Sequence, residues 1–322
     1  MSDTNRSHEV NDIQPSSLKH LVGNRHVIDQ VAVALDACQQ DNKTMASALL
    51  VGPPGVGKSI LAAVLAQELV VDFHSVLGQS IASNADLNAL LLVAKDKDVV
   101  FIDEADELRT EFQTALYLAI DQRKIVLQTG VSRRCPQAIP IADFCLLLAS
   151  NHEHSLAAPL RDRMKLLLRF GFYSEPELAQ ILLHRSKALS WEIYEDLFPQ
   201  IAKRARGVPR QALRLLSASW RVCRSQGEDT ITAAHFTRAC QLEQIDDLGL
   251  GPTEQKYLSI LNDGAVRLNI LASVLGLPAK TIAEVIEPFL IRLGLVTKDE
   301  QSRRNLTALG REHLANLRTT VV

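Results

Sequence analysis

From Leu21 to Phe172, short apolar runs alternate with amphipathic segments. Because a parallel sheet buries both faces of its strands, apolar runs separated by helical patterns predict an α/β domain with helices packed on a parallel sheet. We predict strands at about residues 47–52, 72–78, 98–103, 144–150 and 167–171. We predict helices at about residues 24–40, 57–69, 85–94, 110–121 and 155–164.

One segment, residues 123–141, interrupts this alternation. Two short apolar runs flank a polar turn that contains Gly130, a pattern that favours a β-hairpin projecting from the sheet. A plain surface loop is the alternative. The α/β core is placed at residues 18–173, and the polar tail at residues 1–17 is expected to be disordered because it lacks hydrophobic periodicity.

The second half of the chain is helical. Residues 174–245 show helical periodicity and predict a small helical lid domain, and the glycines and proline near residue 250 mark a boundary. Residues 246–322 show three helices, a short apolar stretch with a polar turn, and a last helix, which together predict a winged-helix domain. The helices are expected at about residues 252–262, 267–275, 279–292 and 307–317.

Composition limits the classes of function. With 322 residues the chain should form two or three domains. Its net charge of −2 excludes a protein that coats nucleic acid all over but permits a local basic patch. The five scattered cysteines lack Cys-x-x-Cys spacing, which argues against a disulfide framework and a zinc site. No membrane span or signal-peptide core is visible, so a cytoplasmic location is expected.

Directly after the apolar run at residues 48–51 stands a phosphate-binding loop of the form G-x-x-x-x-G-K-[ST]. A strand that ends in such a loop and leads into a helix directs backbone N–H groups at one anionic pocket. Lys58 is expected to reach the β- and γ-phosphates of ATP, and the Ser59 hydroxyl to bind Mg²⁺. The loop reads Gly52-Pro53-Pro54-Gly55-Val56-Gly57-Lys58-Ser59.

A second apolar run, residues 99–102, ends in Asp103 and Glu104. We expect Asp103 to hold Mg²⁺ and Glu104 to accept a proton from the water that attacks the γ-phosphate. A buried strand that merely ends in acids is the alternative, and the phosphate loop upstream argues against it.

These residues lack a cation for the charge that develops on the transferred phosphoryl group. Arg161 and Arg163 lie at the end of a predicted helix, where such a residue can act as an arginine finger in a neighbouring subunit's site. Identical neighbours related head to tail form a closed ring, so we expect a homo-oligomeric ring. An Arg-Asp ion-pair network at the helix end is the alternative.

Further polar positions are candidates for the same chemistry. Asn151 directly follows the strand at 144–150 and is expected to sit between the two acidic residues and to orient the attacking water. Arg210, at a helix start, is expected to touch the γ-phosphate, with an exposed surface charge as the alternative. Arg303 and Arg304 are candidate contacts to DNA phosphates in the wing, or simply a solvated charge run.

The layout resembles AAA+ ATPases and, within them, the RuvB-like Holliday-junction branch-migration ATPases. The resemblance spans about residues 18 to 315. It is carried by the phosphate loop, Phe101-Ile102-Asp103-Glu104, Pro159-Leu160-Arg161-Asp162-Arg163, Phe172-Tyr173-Ser174, Arg206-Gly207-Val208-Pro209-Arg210 and Glu284-Val285-Ile286-Glu287-Pro288-Phe289-Leu290-Ile291.

The resemblance implies a homohexamer that moves double-stranded or branched DNA using ATP and Mg²⁺, with a RuvA-like junction-binding partner. It implies adenine contacts from Val22 and Tyr173. The hairpin residues Arg133-Arg134 and the run Ala105-Asp106-Glu107 differ from the usual family residues, as does Asn151, which stands where the family has threonine. The nucleotide-binding residues expected are Val22, Gly52, Pro53, Gly55, Val56, Gly57, Lys58, Ser59, Ile60, Arg163, Tyr173 and Arg210.

Two other functions remain open. A divergent AAA+ remodeller or loader would keep the architecture and act on a client other than DNA. A DNA-binding regulator would use the winged helix with nucleotide as a switch, although the combination of Asp103, Glu104 and Arg163 argues for hydrolysis.

Overall fold

The structure is a computed structural model, and it describes residues 10, 14–127 and 137–320. The chain divides into two compact units. Unit 1 comprises residues 1–177 and 208–210, and unit 2 comprises residues 178–207 and 211–322. The predicted disordered tail at residues 1–17 falls largely outside the described residues.

Unit 1 contains a five-stranded parallel sheet and a separate two-stranded antiparallel pair. In the sheet the strand order is β2-β3-β6-β1-β7. The strands of the unit are β1 Ala48–Val51, β2 Phe73–Leu77, β3 Val99–Asp103, β4 Lys124–Leu127, β5 Gln137–Pro140, β6 Cys145–Ser150 and β7 Leu166–Arg169. The five sheet strands therefore form close to where the apolar runs predict them.

Two hydrophobic clusters cover the two faces of this sheet. Since successive side chains of a strand point to opposite faces, Leu50 of β1 belongs to one cluster and Leu49 to the other. Helices α1 and α2 supply the first cluster, and α3 and α4 the second. The bounds are α1 Arg25–Gln40, α2 Lys58–Leu69, α3 Asn84–Val93 and α4 Thr110–Gln122.

The helix predicted at residues 155–164 is much shorter in the structure. Helix α5 covers only Ala158–Arg161, and Leu156 and Ala157 before it are extended. Pro159 stands in the first turn of α5, the part of a helix that tolerates a residue without an amide hydrogen. The helix therefore starts at Ala158, with the proline as its second residue, and not at residue 155.

The segment predicted as a hairpin contains the antiparallel pair β4 and β5, with Ile125 opposite Ile139. This pairing is what a hairpin requires. Residues 128–136, which include Arg133 and Arg134, lie outside the described residues.

The first half of unit 2 is mainly helical, as the periodicity predicts. Its four helices are α6 Glu175–Ala188, whose first three residues count with unit 1, α7 Leu197–Arg204, α8 Pro209–Ser225 and α9 Ala233–Leu242. The prediction missed two short strands, β8 Glu192–Ile193 and β9 Thr230–Ile231, which pair in parallel. Each is two residues long, too short for an alternating pattern to show in the sequence.

The second half of unit 2 has the helices and two-stranded wing of a winged-helix domain. Tyr257 lies fully buried in its core cluster. The elements are α10 Pro252–Asn262, α11 Leu268–Leu275, α12 Ala279–Thr281, α13 Glu287–Arg292, β10 Val296–Lys298, β11 Arg304–Leu306 and α14 Ala308–Thr320.

The helix predicted at residues 279–292 is interrupted by a wider π-helical turn at Ile282–Ile286. There the amide of Glu287 donates to the carbonyl of Ile282, five residues back. Pro288 follows directly and has no amide hydrogen for the regular pattern, and such a residue is a common cause of local helix distortion. In the part of the chain that the structure describes, no helix combines the length and apolar character needed to cross a bilayer.

Candidate functional site

The predicted phosphate loop lies at the carboxyl end of β1, between the ends of β6 and β7. In open parallel sheets this edge is where ligands bind. Gly57 has a φ of 100°, a conformation that a side chain would disfavour, and it caps helix α2. Helix α2 therefore starts at the loop, with its N-terminal amides directed at the space where phosphates are expected.

Lys58 is buried at this edge, with only 8% of its surface exposed. Its ammonium donates to the carbonyls of Gly52 at 2.6 Å and Pro53 at 3.0 Å, and to Oδ1 of Asn151 at 2.9 Å. Burial lowers the pKa of Lys58 to about 8, the charges of Asp103 and Asp106 oppose this change, and Arg210 adds to it. All three ammonium hydrogens are thus engaged, and a phosphate would replace at least one partner.

Ser59 connects the loop to the acidic strand end. Its hydroxyl donates to Oδ2 of Asp103 at 2.6 Å, and Oδ1 of Asp103 accepts from the amide of Glu104 at 2.9 Å. These two side chains stand where the sequence predicts the Mg²⁺ ligands. Glu104 adopts a left-handed conformation, with φ of 51°, and its side chain is exposed.

Gly78, which the sequence analysis did not single out, packs against the backbone of Glu104. A Cβ atom at residue 78 would collide with the carbonyl oxygen of Glu104 and come within 3.4 Å of the amide of Leu108. Only glycine permits this close approach, so Gly78 helps to fix the turn that carries the predicted base. A glycine at the last position of the strand predicted at residues 72–78 was the available signal.

Asp106 is a second residue that the predictions did not use. Its Oδ1 atom is shielded from solvent and has no hydrogen-bond partner among the described residues. The described residues contain no cluster of three or more His, Cys, Asp or Glu side chains able to hold a metal by themselves. Mg²⁺ usually takes one or two carboxylates and completes its shell with water and phosphate oxygens, so Ser59, Asp103 and a free acceptor oxygen fit this ion.

The loop also has neighbours within unit 1 that were predicted to bind nucleotide. The amide of Arg210 donates to the carbonyl of Gly55 at 3.3 Å. The hydroxyl of Tyr173 donates to the carbonyl of Val56 at 2.9 Å, and its ring lies against Gly23, the residue after Val22. Arg210 and Tyr173 therefore lie beside the phosphate loop, as their predicted roles require.

Ile60 and Val22 complete the predicted nucleotide contacts. Ile60 is partly buried against the cluster that α1 and α2 supply. Val22 is half-buried. Neither placement distinguishes a nucleotide contact from ordinary packing, so both roles stay predictions.

Arg163 is held by hydrogen bonds and a ring contact to residues of its own chain. Its Nε donates to Asp121 at 2.9 Å, its Nη1 donates to the carbonyl of Pro159 at 3.1 Å, and its guanidinium lies 5.1 Å from the Tyr117 ring centroid. The hydrogen bond to Asp121 raises the pKa of Arg163, and burial opposes it. None of these contacts is with the phosphate loop, so a role in this chain's own site has no support.

Arg161 contacts His154 through Nη1 at 3.0 Å. Its Nε is shielded from solvent and has no hydrogen-bond partner among the described residues. The alternative of an Arg-Asp ion-pair network thus holds for Arg163 with Asp121, whereas Arg161 pairs with a histidine.

In the wing, the structure separates the two arginines that were predicted to contact DNA. Arg303 is partly exposed and pairs with Asp299 at 2.8 Å. Arg304 is buried, with 7% of its surface exposed, and donates to both carboxylate oxygens of Glu287 at 2.6 and 3.2 Å. A guanidinium in this position is not available to a phosphate, so the predicted DNA contact of Arg304 is corrected to a structural ion pair.

The run Arg206–Arg210 is divided between the two units. Residues 208–210 belong to unit 1, where Val208 and Arg210 lie against Gly55. Arg206 belongs to unit 2, where it pairs with Glu254 at 2.6 Å and its guanidinium lies 4.6 Å from the Phe289 ring centroid. The two ends of this short run are therefore anchored in different units.

Three family models match consecutive parts of the chain, which correspond to the predicted core, lid and winged helix. Residues 13–170 match the family described as the Holliday junction DNA helicase RuvB P-loop domain. Residues 173–246 match the RuvB AAA lid domain, and residues 247–315 match the RuvB C-terminal winged helix domain. Together with the observed architecture, these matches confirm the predicted fold class of an α/β core, a helical lid and a winged helix.

Individual relatives cover nearly the whole chain. The Holliday junction branch migration complex subunit RuvB of Neorickettsia sennetsu is 30% identical over 95% of this chain and 93% of its own length. That of Koribacter versatilis is 33% identical over 90% and 82%. The solved structure of the Thermotoga maritima RuvB Holliday junction branch migration motor is 31% identical, with a TM-score of 0.81, covering 94% of this chain and 98% of its own.

Proposed function

The chain belongs to the RuvB family, and from this premise we propose that it is an ATP-driven motor for branch migration of four-way (Holliday) DNA junctions in recombination and repair. The observation that carries the proposal is the 2.6 Å hydrogen bond from Ser59 to Asp103, which joins the phosphate loop to the acidic strand end. Without that junction, neither motif alone would make a hydrolytic site.

Except for one cation, residues suited to each role in phosphoryl transfer to water lie at this edge of the sheet. Lys58 binds the β- and γ-phosphates after exchanging a protein partner for phosphate oxygens. Ser59 and Asp103 would hold Mg²⁺, and the bound ion would supply positive charge to the phosphates. Glu104 accepts the proton of the attacking water. Asn151, which directly follows β6 between β1 and β3, orients that water.

The other nucleotide contacts are proposed as the sequence predicts them. Arg210 touches the γ-phosphate from its position beside Gly55, and Val22 and Tyr173 contact the adenine. The loop supplies the remaining contacts, from Gly52, Pro53, Gly55, Val56, Gly57 and Ile60.

The missing cation is supplied by a second subunit. Arg163 is exposed enough to reach beyond its own chain, since a third of its side chain remains accessible despite the pair with Asp121. An arginine donated in trans is worth about 10³ to 10⁵ in rate. Head-to-tail donation among identical subunits forms a ring when the rotation between neighbours closes, and we propose a homohexamer.

Double-stranded or branched DNA is the proposed substrate of the ring. The winged-helix domain supplies the DNA contact, and the partly exposed Arg303 is its proposed phosphate contact. The β4–β5 pair is the proposed docking element for a RuvA-like partner that binds the junction.

The test is an ATPase assay with linear, forked and four-way DNA. We expect four-way DNA to give the strongest stimulation, Lys58→Ala to abolish ATP binding, and Glu104→Gln to bind ATP but not turn it over. Glu107→Gln is the matched control, because it removes an exposed carboxylate three residues further on and should hydrolyse ATP normally.

Three other outcomes of these assays would contradict the proposal, each in a different way. Normal hydrolysis by Glu104→Gln would show that the assigned base is wrong. Hydrolysis that no DNA stimulates would refute the motor and favour a remodeller or loader with a client other than DNA. Nucleotide binding without any turnover in the wild type would favour a regulatory switch.

A further inference from the structure

Asp106 has an acceptor atom that the protein itself does not use. Its Oδ1 is shielded from solvent and has no hydrogen-bond partner among the described residues. Buried carboxylate oxygens without a donor are unfavourable, and in native structures each such atom calls for an explanation. A ligand that brings its own donor into the site is one such explanation.

The location of Asp106 indicates which ligand. It follows Asp103 by three residues, on the short 3₁₀ turn Ala105–Glu107 whose first residue is fully buried. Its charge, like that of Asp103, acts on the ammonium of Lys58. The free oxygen therefore belongs to the same electrostatic environment as the phosphate loop and the Mg²⁺ ligands.

Mg²⁺ in nucleotide sites keeps several water molecules, because it sheds its hydration shell reluctantly. Those waters are strong donors, and acceptors outside the ligand set orient them. Asp103 already engages Ser59 and the amide of Glu104, and Glu104 is exposed to solvent, whereas Asp106 has an oxygen that is shielded and without a donor among the described residues.

We propose that Asp106 is a positioning residue for Mg²⁺, whose Oδ1 accepts a hydrogen bond from a water molecule bound to the ion. The inference rests on the proposed ATPase function. Asp106 neither ligates the metal directly nor takes the proton of the attacking water; it fixes the hydration shell of the ion against the phosphates.

The primary test measures nucleotide binding and not turnover. A fluorescent ADP analogue is titrated into wild type, Asp106→Asn and Asp106→Ala, once with saturating Mg²⁺ and once with EDTA. Loss of an outer-shell partner typically costs about 10- to 100-fold in metal affinity. We expect the gain in ADP affinity that Mg²⁺ provides to fall by up to this factor in Asp106→Ala and by less in Asp106→Asn, whose amide oxygen still accepts a hydrogen bond, while binding in EDTA stays unchanged.

Two further measurements separate the alternatives. Glu107→Gln, on the same turn but exposed, should keep the wild-type Mg²⁺ gain. In the ATPase assay, Asp106→Ala should need roughly 10- to 100-fold more Mg²⁺ for half-maximal turnover and should regain its turnover at saturating Mg²⁺.

The proposal is overturned if Asp106→Ala and Glu107→Gln show the same gain from Mg²⁺. It is also overturned if turnover of Asp106→Ala stays low at every Mg²⁺ concentration while the gain is normal, which would place Asp106 on the attacking water. Unchanged binding in EDTA shows that the variants are folded. Failure of the wild type itself to bind ADP would instead refute the proposed function, and this inference with it.

Discussion

Replacing Arg304 by alanine should destabilise the wing, whereas replacing the adjacent Arg303 should not. Glu287 is fully buried, and Arg304 supplies two of the hydrogen bonds to its carboxylate. Removing one partner of a buried ion pair costs about 3 to 5 kcal/mol, because the other charge stays buried. Lys298 at 2.8 Å and Tyr257 at 3.1 Å still contact Glu287, so we expect a value near the lower end.

Native-state hydrogen exchange measures this loss locally. A change of about 3 kcal/mol corresponds to a factor of roughly 10² in an opening equilibrium. The amides of Val296–Lys298 and Arg304–Leu306 should lose about that much protection in Arg304→Ala. In Arg303→Ala they should exchange as in the wild type, because the Arg303 pair with Asp299 is partly exposed.

For DNA binding we expect the larger effect from Arg303→Ala and the smaller one from Arg304→Ala. Arg303→Ala should weaken binding at all sequences and reduce its salt dependence by about one counterion per wing. If Arg304→Ala keeps its wing protected and weakens DNA binding in this way, the structural assignment of Arg304 is wrong.

Acid should act on the same pair. Burial raises the pKa of Glu287, but Arg304 and Lys298 outweigh burial and hold this pKa below its ordinary value of 4.5. The stability that the pair contributes is therefore present above pH 4.5 and is lost as the pH falls through the lowered pKa. Exchange of the wing amides, corrected for the intrinsic pH dependence, should rise only in that range.

Two further predictions concern the nucleotide site. Gly78→Ala should lower turnover by about 10- to 100-fold through displacement of Glu104 and leave ADP affinity near normal. The control is Gly171→Ala, whose added Cβ would meet only a side-chain atom at 3.7 Å and which should keep normal turnover and normal ADP affinity. Equal turnover in both variants would contradict the packing argument. Because the pKa of Lys58 lies at about 8 in the ligand-free protein, ATP affinity should fall as the pH rises above 8, and ATP binding near pH 8 should take up a proton. Calorimetry of ATP binding in two buffers that differ in ionisation enthalpy would refute this if the two binding heats agree.

The sequence predicted those parts of the site that depend on neighbouring residues. The phosphate loop and the strand end at Asp103 each carry their signal within about eight residues, and parallel strand order brings their carboxyl ends to one edge. The fold class followed in the same way from alternating apolar runs. The local sequence pattern was sufficient here because the phosphate loop and Asp103 each lie at the carboxyl end of a strand.

The rest depended on contacts between residues distant in sequence. Arg304 looked like a surface charge because its partner Glu287 lies 17 residues earlier, on another element. Gly78 meets Glu104 only after β2 and β3 pair. Oδ1 of Asp106 lacks a hydrogen-bond donor because of the residues around it in the fold. The acidic run in the sequence does not show which of its carboxylates lacks a donor.

The crossing of the chain at residues 208–210 limits how the protein can be dissected. Unit 1 is not a continuous stretch, since these three residues return to it from within unit 2. A fragment that stops at residue 177 would keep the phosphate loop but lose the Val208 and Arg210 side chains that pack on Gly55. A chimaera joined at that point would receive its Arg210 from the other parent, so the specificity of the nucleotide site would be inherited from both.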